Sequence, residues 1–325
     1  EHLVIGKVTS RAGGLPEETS YKESLINEAE FLSGLEYGKP ILGKKDPRAE
    51  GLDSQQIVIK RMSKYTDTPK ELPQGDVDAA VKDVIQVVTN EPCSIVPRVL
   101  TLKEAINGSE EFFNIKRIVM SSSPGFPYVN EAPEGEGGKA HLFNIPEDDP
   151  TNTTIKSDNL NKNLEVQEEQ ITNGECPIYI HNTVSKDEIL SMKKILNKDT
   201  RAISCSPIDM VLKMRRYFGA FVHYFIKGRK NHFSSIGMNP LSPEWHDMIQ
   251  MLYSKSSYGF DGDYKGFERY LTMQIADGIL KIIESYYEKF GSPSKKEALA
   301  RKVLMHCIIH CVIKVGPWLF WKRYG

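Results

Sequence analysis

The pattern of apolar and polar positions is most regular in the last quarter of the chain. Apolar residues recur at helical spacing over 271–286, and Gly291 followed by Pro293 closes the pattern. This spacing predicts a helix that begins near Glu268. The next stretch, "KKEALARKVLMHCIIH", predicts a second helix that starts at Ser292 with Pro293 in its first turn.

Shorter apolar segments predict β-strands on both sides of these helices. The stretch "MLYSKSSYGFDGDY", residues 251–264, has the length and apolar content of a short buried strand. The segments "CVIKV" and "WLFWKRYG" flank Gly316-Pro317, which predicts a turn between two strands. Strands and helices in irregular order predict an α+β fold.

Residues 128–163 show only weak periodicity and are rich in Pro, Gly, Asn and acidic residues. This composition predicts a long exposed insertion. With 325 residues, the chain is long enough to form two or three lobes. Because it stops at Gly325 inside an aromatic-rich strand, we expect it to be a fragment of a longer protein.

The formal net charge of −1 conceals a strong separation of charge along the chain. Residues 131–175 contain eleven acids and three lysines, whereas residues 178–230 contain eleven Lys or Arg and four acids. The basic stretch is compatible with binding of nucleic acid or nucleotides. Basic residues on solvent-exposed helix faces explain such charges equally well. No apolar run reaches the roughly 18 residues that span a membrane, so we expect no transmembrane segment.

Secretion is not indicated by the sequence. The first residues lack the basic start and apolar core of a secretory signal. The five cysteines are odd in number and irregularly spaced, which does not fit a disulfide framework. We therefore expect a reducing compartment such as the cytosol.

Acidic residues crowd the stretch "GFDGDYKGFERYL", residues 259–271. On a strand, Asp261 and Asp263 would point to the same face. A carboxylate at the carboxyl end of an apolar strand supplies the hard oxygen ligand that magnesium prefers, which makes Asp263 a candidate metal ligand. A solvated loop is the alternative for Asp263, and a helix-start acid is the alternative for Glu268.

Two further segments carry groups that can meet phosphate. The stretch "SKDEILSMKKILNKDTRAISCSP", residues 185–207, contains five closely spaced cations, the expected complement of a triphosphate, with Asp187 and Glu188 placed to hold some of the lysines. In "SSSPGFPYVN", residues 121–130, prolines and a glycine fix an irregular backbone beside three serines that could donate to phosphate. A generic loop remains the alternative for the serine segment.

These segments follow one another as in the picornavirus-like RNA-dependent RNA polymerases. "KPILGKKDPRAEG" resembles an amino-terminal segment of that family, "SSSPGFPY" the template loop called motif G, and "KDEILSMKKILNKDTRAI" motif F. "SPIDMVLKMRRYFGAF" is similar to the helix after motif F, "SIGMNPLSPEW" to the turn before the palm, and "DYKGFE" to motif A. The resemblance covers nearly the whole chain.

The resemblance implies a right-hand polymerase fold without its thumb. Residues 1–216 would form the fingers, 217–302 the first part of the palm, and 303–325 a return to the fingers. Asp263 matches the motif A aspartate that binds catalytic magnesium, or manganese. Glu268 matches the second motif A acid, which helps to select ribose, although a glutamate is one methylene longer than the family's aspartate.

Motifs F and G imply the remaining site residues. The nucleotide-binding positions implied by motif F are Lys186, Lys194 and Arg201. The template-contacting positions implied by motif G are Ser122, Ser123 and Gly125. The implied activity is template-directed RNA synthesis from ribonucleoside triphosphates, with an RNA template and primer, a small protein primer and other viral replication proteins as partners, in host cytoplasm at membrane-associated replication complexes.

Motif B and the Gly-Asp-Asp turn of motif C are absent from these 325 residues, so we expect the chain by itself to be inactive. A non-catalytic RNA-binding or assembly domain that retains polymerase fingers is the main alternative. A reverse transcriptase is disfavoured by the motif F and motif G matches.

Two further patterns are better explained by packing than by chemistry. The stretch "HCIIHC", residues 306–311, places two His–Cys pairs one helical turn apart, but it lies in the apolar stripe of a helix. Trp318, Phe320 and Trp321 could stack on bases, yet buried packing is the simpler expectation.

Overall fold

The structure is a computed structural model, and it describes residues 2–8, 15, 17–20, 37–63, 70–264, 267 and 271–322. The helices are α1 (Ser54–Met62), α2 (Gln74–Thr89), α3 (Leu102–Asn107), α4 (Asp158–Thr172), α5 (Met192–Leu196), α6 (Ile208–Lys227), α7 (Pro243–Lys255), α8 (Met273–Phe290) and α9 (Lys295–Ile309). The strands are β1 (His2–Lys7), β2 (Tyr37–Gly38), β3 (Phe143–Asn144), β4 (Thr154–Ile155), β5 (Ile180–Ser185), β6 (Leu190–Ser191), β7 (Ala202–Cys205), β8 (Val312–Val315) and β9 (Trp318–Lys322). The predicted α+β fold is confirmed.

A five-stranded mixed sheet organises the described part of the molecule. Its strand order is β1-β9-β8-β5-β7, in which β5 and β8 run parallel and the other neighbours run antiparallel. Two short sheets, β2-β6 and β3-β4, accompany it. Strand β5 therefore pairs with β7, only seventeen residues away, and with β8, more than a hundred residues away.

The largest core cluster lies among the long helices α6, α8 and α9. Tyr286 and Tyr287 of α8 are buried there, and Arg301 of α9 has no exposed surface. The Arg301 guanidinium donates to both carboxylate oxygens of Glu284 at 2.6 Å and lies 3.9 Å from the centre of the Tyr287 ring. A buried bidentate pair of this kind fixes α9 against α8.

The two helices predicted for the carboxyl-terminal part are confirmed, with later starts. Thr272 caps α8 by accepting the N–H of Ile275, and Gly291 follows its last turn. Ser294 and Glu297 form a reciprocal capping box at the start of α9. The predicted turn at Gly316 is also confirmed, since β8 and β9 form an antiparallel hairpin around it.

The strand predicted for residues 251–264 is wrong. Residues 251–255 form the last turns of α7, which has Pro243 in its first turn, and 256–264 form no regular element. The side chain of Phe260 is 100% exposed, so this segment is not a buried strand. A short apolar run without strict alternation does not distinguish a strand from a helix, and here helical geometry prevailed.

The exposed insertion predicted for residues 128–163 is also wrong in part. Tyr128, Leu142, Phe143 and Leu160 are buried in a second core cluster, and β3 pairs with β4 within the segment. Each short element is anchored by one or two apolar side chains, which leaves no periodic signal in the sequence. Part of the segment is therefore packed into the fold, whereas residues 133–137 and 147–152 are exposed.

The two sequence patterns that we assigned to packing behave differently. Cys307 and Cys311 are buried, in agreement with the expectation for "HCIIHC". Trp318 and Trp321 remain 39% and 44% exposed, so the expected burial of these aromatics is only partial. The Lys7 ammonium lies 5.1 Å from the Trp318 ring centre.

Candidate nucleotide and template site

Lys186 and Arg201 lie side by side where β5 ends and β7 begins. The two strands pair in antiparallel register up to Ser185 and Ala202. The next residues continue the ladder, since the Lys186 N–H donates to the Arg201 carbonyl oxygen at 2.6 Å. Both cationic side chains therefore emerge from the same end of one strand pair.

Glu188 lies between these two cations. Its Oε2 accepts from Lys186 Nζ at 2.8 Å and from Arg201 Nη1 at 3.3 Å. The Glu188 side chain is 18% exposed, whereas those of Lys186 and Arg201 are 38% and 53% exposed. A largely covered carboxylate thus orients two accessible cations, which remain available to an anion from solvent.

Asp187 does not hold any lysine of the basic stretch, contrary to our expectation. Its carboxylate accepts from the Thr19 hydroxyl and from the N–H and hydroxyl of Ser20, each at 2.6 Å. Burial acts to raise the pKa of Asp187, but the hydrogen bonds from Ser20 and Thr19 outweigh it and lower the pKa. Asp187 therefore fastens an amino-terminal segment to the basic stretch.

The remaining lysines of the basic stretch lie on or after α5. Within the described ranges, the side chain of Lys194 forms no hydrogen bond or ion pair, and it is exposed. Lys198 forms an ion pair with Glu50. The structure therefore unites Lys186 with Arg201 but does not bring Lys194 into contact with them.

The second part of the site is the segment 121–128, which we call the serine–proline loop. Buried Lys139 donates to the Val119 carbonyl oxygen at 2.7 Å and to Ser122 Oγ at 2.5 Å. The Ser122 hydroxyl itself donates to the Val119 carbonyl oxygen at 2.9 Å. By contrast, Ser123 Oγ accepts the Gly125 N–H at 3.2 Å and donates its own proton to no other described residue.

Gly125 fastens this loop to the segment between β7 and α6. Its φ is +75°, and a Cβ there would lie 2.7 Å from both Pro207 Cα and the Ser206 carbonyl oxygen. The Ile208 N–H also donates to the Pro124 carbonyl oxygen at 2.8 Å. Because β7 separates Ser206 from Arg201, the loop and the cation pair lie about 17 Å apart along the strand.

Asp209, near the start of α6, holds the other end of the serine–proline loop. Its buried carboxylate accepts from the Tyr128 hydroxyl at 2.8 Å and from Gln167 Nε2 at 2.7 Å. Burial raises the pKa of Asp209, although these hydrogen bonds oppose the shift. Sequence reasoning missed both Asp209 and Lys139, because neither stands out from ordinary helix-start or surface residues in its local pattern.

The acids of the motif A segment lie on the irregular stretch after α7. Asp261 and Asp263 are exposed and form no hydrogen bond or ion pair with other described residues. Glu268 lies outside the described residues. Free carboxylate oxygens suit magnesium, which takes one or two carboxylates together with substrate phosphates. In the described ranges no three His, Cys, Asp or Glu side chains converge on a metal site, so these residues fit only part of such a site.

The fold is that of a viral RNA polymerase. A solved structure described as Sicinivirus 3Dpol RNA dependent RNA polymerase superposes with a TM-score of 0.72 and 18% sequence identity, covering 100% of this chain and 62% of that one. The family model described as "Viral RNA-dependent RNA polymerase" matches residues 26–315. The chain belongs to this family, and the picornavirus-like polymerase predicted from the motifs is confirmed.

Relatives of the chain occur in polyproteins of picorna-like plant viruses. The genome polyprotein of Rice tungro spherical virus (strain Vt6) is 32% identical over 65% of the chain, and the RNA1 polyprotein of Tomato ringspot virus (isolate raspberry) is 30% identical over 84%. The chain spans 6% and 13% of the length of these two polyproteins. Within the described ranges, no helix is both long and apolar enough to cross a membrane.

Proposed function

We propose that the chain supplies the fingers and the first part of the palm of a polymerase that synthesises RNA on an RNA template. The observation that carries the proposal is the Lys186–Arg201 pair, held on Glu188 in a chain of the viral polymerase family. Residues 1–216 are assigned to the fingers, 217–302 to the palm and 303–325 to the return to the fingers.

The cation pair would bind the incoming ribonucleoside triphosphate. Arg201 offers a planar fork of N–H donors and Lys186 a compact ammonium, both of which meet phosphate oxygens well. Glu188 keeps the two side chains oriented before the nucleotide arrives, which lowers the entropy that binding must remove. The exposure of both cations supports this role.

The serine–proline loop would guide the template strand. Ser123 can donate its free hydroxyl proton to a template phosphate, whereas the Ser122 hydroxyl is engaged inside the loop. Gly125 lets the backbone pass close to the start of α6. The loop contacts would place the template without reading its bases.

In the reaction, the primer 3′-hydroxyl attacks the α-phosphate of the nucleotide and pyrophosphate leaves. Asp263 would hold magnesium, or manganese, which neutralises charge on the phosphates. We expect the 325 residues alone to be inactive, because no Gly-Asp-Asp segment occurs among them. Glu268 and Lys194 remain proposed contacts of the nucleotide. We propose a small protein primer and other viral replication proteins as its partners. The proposed location is host cytoplasm, at membrane-associated replication complexes.

The nucleotide role can be tested in the viral polymerase that contains this chain. Arg201→Ala should raise the nucleotide KM about tenfold or more, the cost of one hydrogen bond to a charged group, while template affinity changes little. Exposed Lys193 is the matched control, and Lys193→Ala should leave both quantities near the wild-type values. Equal losses of nucleotide and template affinity in Arg201→Ala would contradict the assignment. A wild-type polymerase that binds RNA without incorporating nucleotides would favour the non-catalytic alternative.

A further inference from the structure

Lys314 of β8 is a buried cation with little to balance its charge. The residue is 2% exposed, and its ammonium donates to Asn182 Oδ1 at 3.5 Å, the outer limit of a hydrogen bond. Among the described residues, its recorded contacts are with the Asn182 amide and the Phe126 ring, and neither carries a negative charge. Burial lowers the pKa of Lys314. Such a group is costly to bury, so its retention calls for another interaction.

The other interaction is with the serine–proline loop. Lys314 Nζ lies 5.4 Å from the centre of the Phe126 ring, within the range of a cation–π contact. Phe126 is itself buried, at 9% exposure. Because both side chains are buried, this attraction is stronger than it would be at the surface.

The two contacts of Lys314 join the two parts of the proposed site. Asn182 is its register partner in β5, the strand that ends beside Lys186. Phe126 follows Gly125, which packs on Ser206 and Pro207. One face of the loop therefore rests on the start of α6, and Lys314 covers the Phe126 ring from β8.

We propose that Lys314 is a positioning residue, whose ammonium holds Phe126 and thereby fixes the serine–proline loop relative to β5. Any effect of Lys314 on template placement rests on the proposed function. The contact between Lys314 and Phe126 is independent of that function, because both residues belong to this chain. Lys314 comes from a strand more than a hundred residues after the loop, so it couples the β8–β9 hairpin to that loop.

Hydrogen exchange of the viral polymerase that contains this chain tests the proposal. Lys314→Met keeps an unbranched side chain, one atom shorter than lysine, and removes its charge. We expect amide exchange over 122–126 to rise about two- to thirty-fold, the range that corresponds to one cation–π contact, while β5 and β8 keep their protection. Lys314→Arg retains a cation and should stay close to the wild type. Unchanged exchange in the loop, or an equal rise across β5 and β8, would overturn the proposal.

A substitution at Phe126, the residue that Lys314 contacts, provides a second test if Lys314→Met fails to fold. Phe126→Leu removes the aromatic face and should raise loop exchange to a similar extent, and the double variant should add little to either single change. Fully additive effects would overturn the proposal. RNA affinity is measured separately by fluorescence anisotropy with single-stranded RNA. If the wild-type polymerase binds no RNA, the proposed template role fails, whereas the exchange data still decide whether Lys314 positions the loop.

Discussion

Ser122 and Ser123 are adjacent in sequence, yet the structure predicts opposite consequences for their replacement. The Ser122 hydroxyl donates to the Val119 carbonyl oxygen and accepts from buried Lys139, so its hydrogen bonds are made within the protein. The Ser123 hydroxyl accepts one N–H, from Gly125, and retains its proton. We therefore expect Ser122→Ala to affect stability and Ser123→Ala to affect RNA binding.

The magnitudes follow from the groups left without partners. Ser122→Ala removes one of the two acceptors of the buried Lys139 ammonium, which should lower the free energy of unfolding by about 1 to 3 kcal/mol. Ser123→Ala would remove the proposed hydrogen bond to a template phosphate, worth about 1.5 kcal/mol, or roughly tenfold in the dissociation constant for RNA. The hydrogen bond from the Gly125 N–H to Ser123 Oγ is long, at 3.2 Å, so its loss in Ser123→Ala should leave the free energy of unfolding nearly unchanged.

Two assays on the same three proteins separate these effects. Urea denaturation gives the free energy of unfolding, and fluorescence anisotropy with labelled single-stranded RNA at one fixed salt concentration gives the dissociation constant. Each serine variant is the control for the other. The reasoning is refuted if Ser122→Ala weakens RNA binding as much as Ser123→Ala without loss of stability, or if Ser123→Ala leaves RNA binding unchanged.

Two further predictions concern stability. Arg98 lowers the pKa of the Glu104 carboxyl to about 2, so this stabilisation is complete above the ordinary pKa of 4.5 and is lost as pH falls toward 2. Glu104→Gln should therefore lower the free energy of unfolding by about 2 kcal/mol at pH 7, allowing for screening of the partly exposed pair. In urea titrations at pH 2.5 the loss should be much smaller. A loss that does not depend on pH would contradict this prediction. Gly125→Ala should destabilise the chain by at least about 2 kcal/mol more than Gly135→Ala. Both glycines have a positive φ, but of these two only Gly125 would bring a Cβ against neighbouring backbone atoms. Equal losses of stability in the two variants would refute the packing argument.

The long helices of the carboxyl-terminal part could be predicted because their signals are local. In α8, apolar residues recur at helical spacing, and in both α8 and α9 the capping residues lie within a few positions of the helix start. The stretch 251–264 lacked such a signal. Its apolar content was compatible with either element, and it was read as the wrong one.

The site was predictable only where its residues belong to recognisable segments. Lys186 and Arg201 stand in one basic stretch, and the β5–β7 pairing brings them together. Lys139 and Lys314 gave no signal, because a lysine in an acidic segment and a lysine in a strand look like ordinary surface residues. Their roles arise from burial and from contacts with residues far away in sequence, which no local pattern encodes.

We propose that this chain carries part of the catalytic site of an RNA polymerase. The decisive experiment is RNA-templated nucleotide incorporation, with magnesium present, by the viral polymerase that contains this chain. Asp263→Asn should reduce incorporation by about a thousandfold or more, while RNA affinity is maintained by contacts elsewhere. Asp261→Asn is the matched control, since both acids are exposed and without partners among the described residues, and it should retain most of the activity. Normal incorporation by Asp263→Asn, or an equal loss in both variants, would contradict the account.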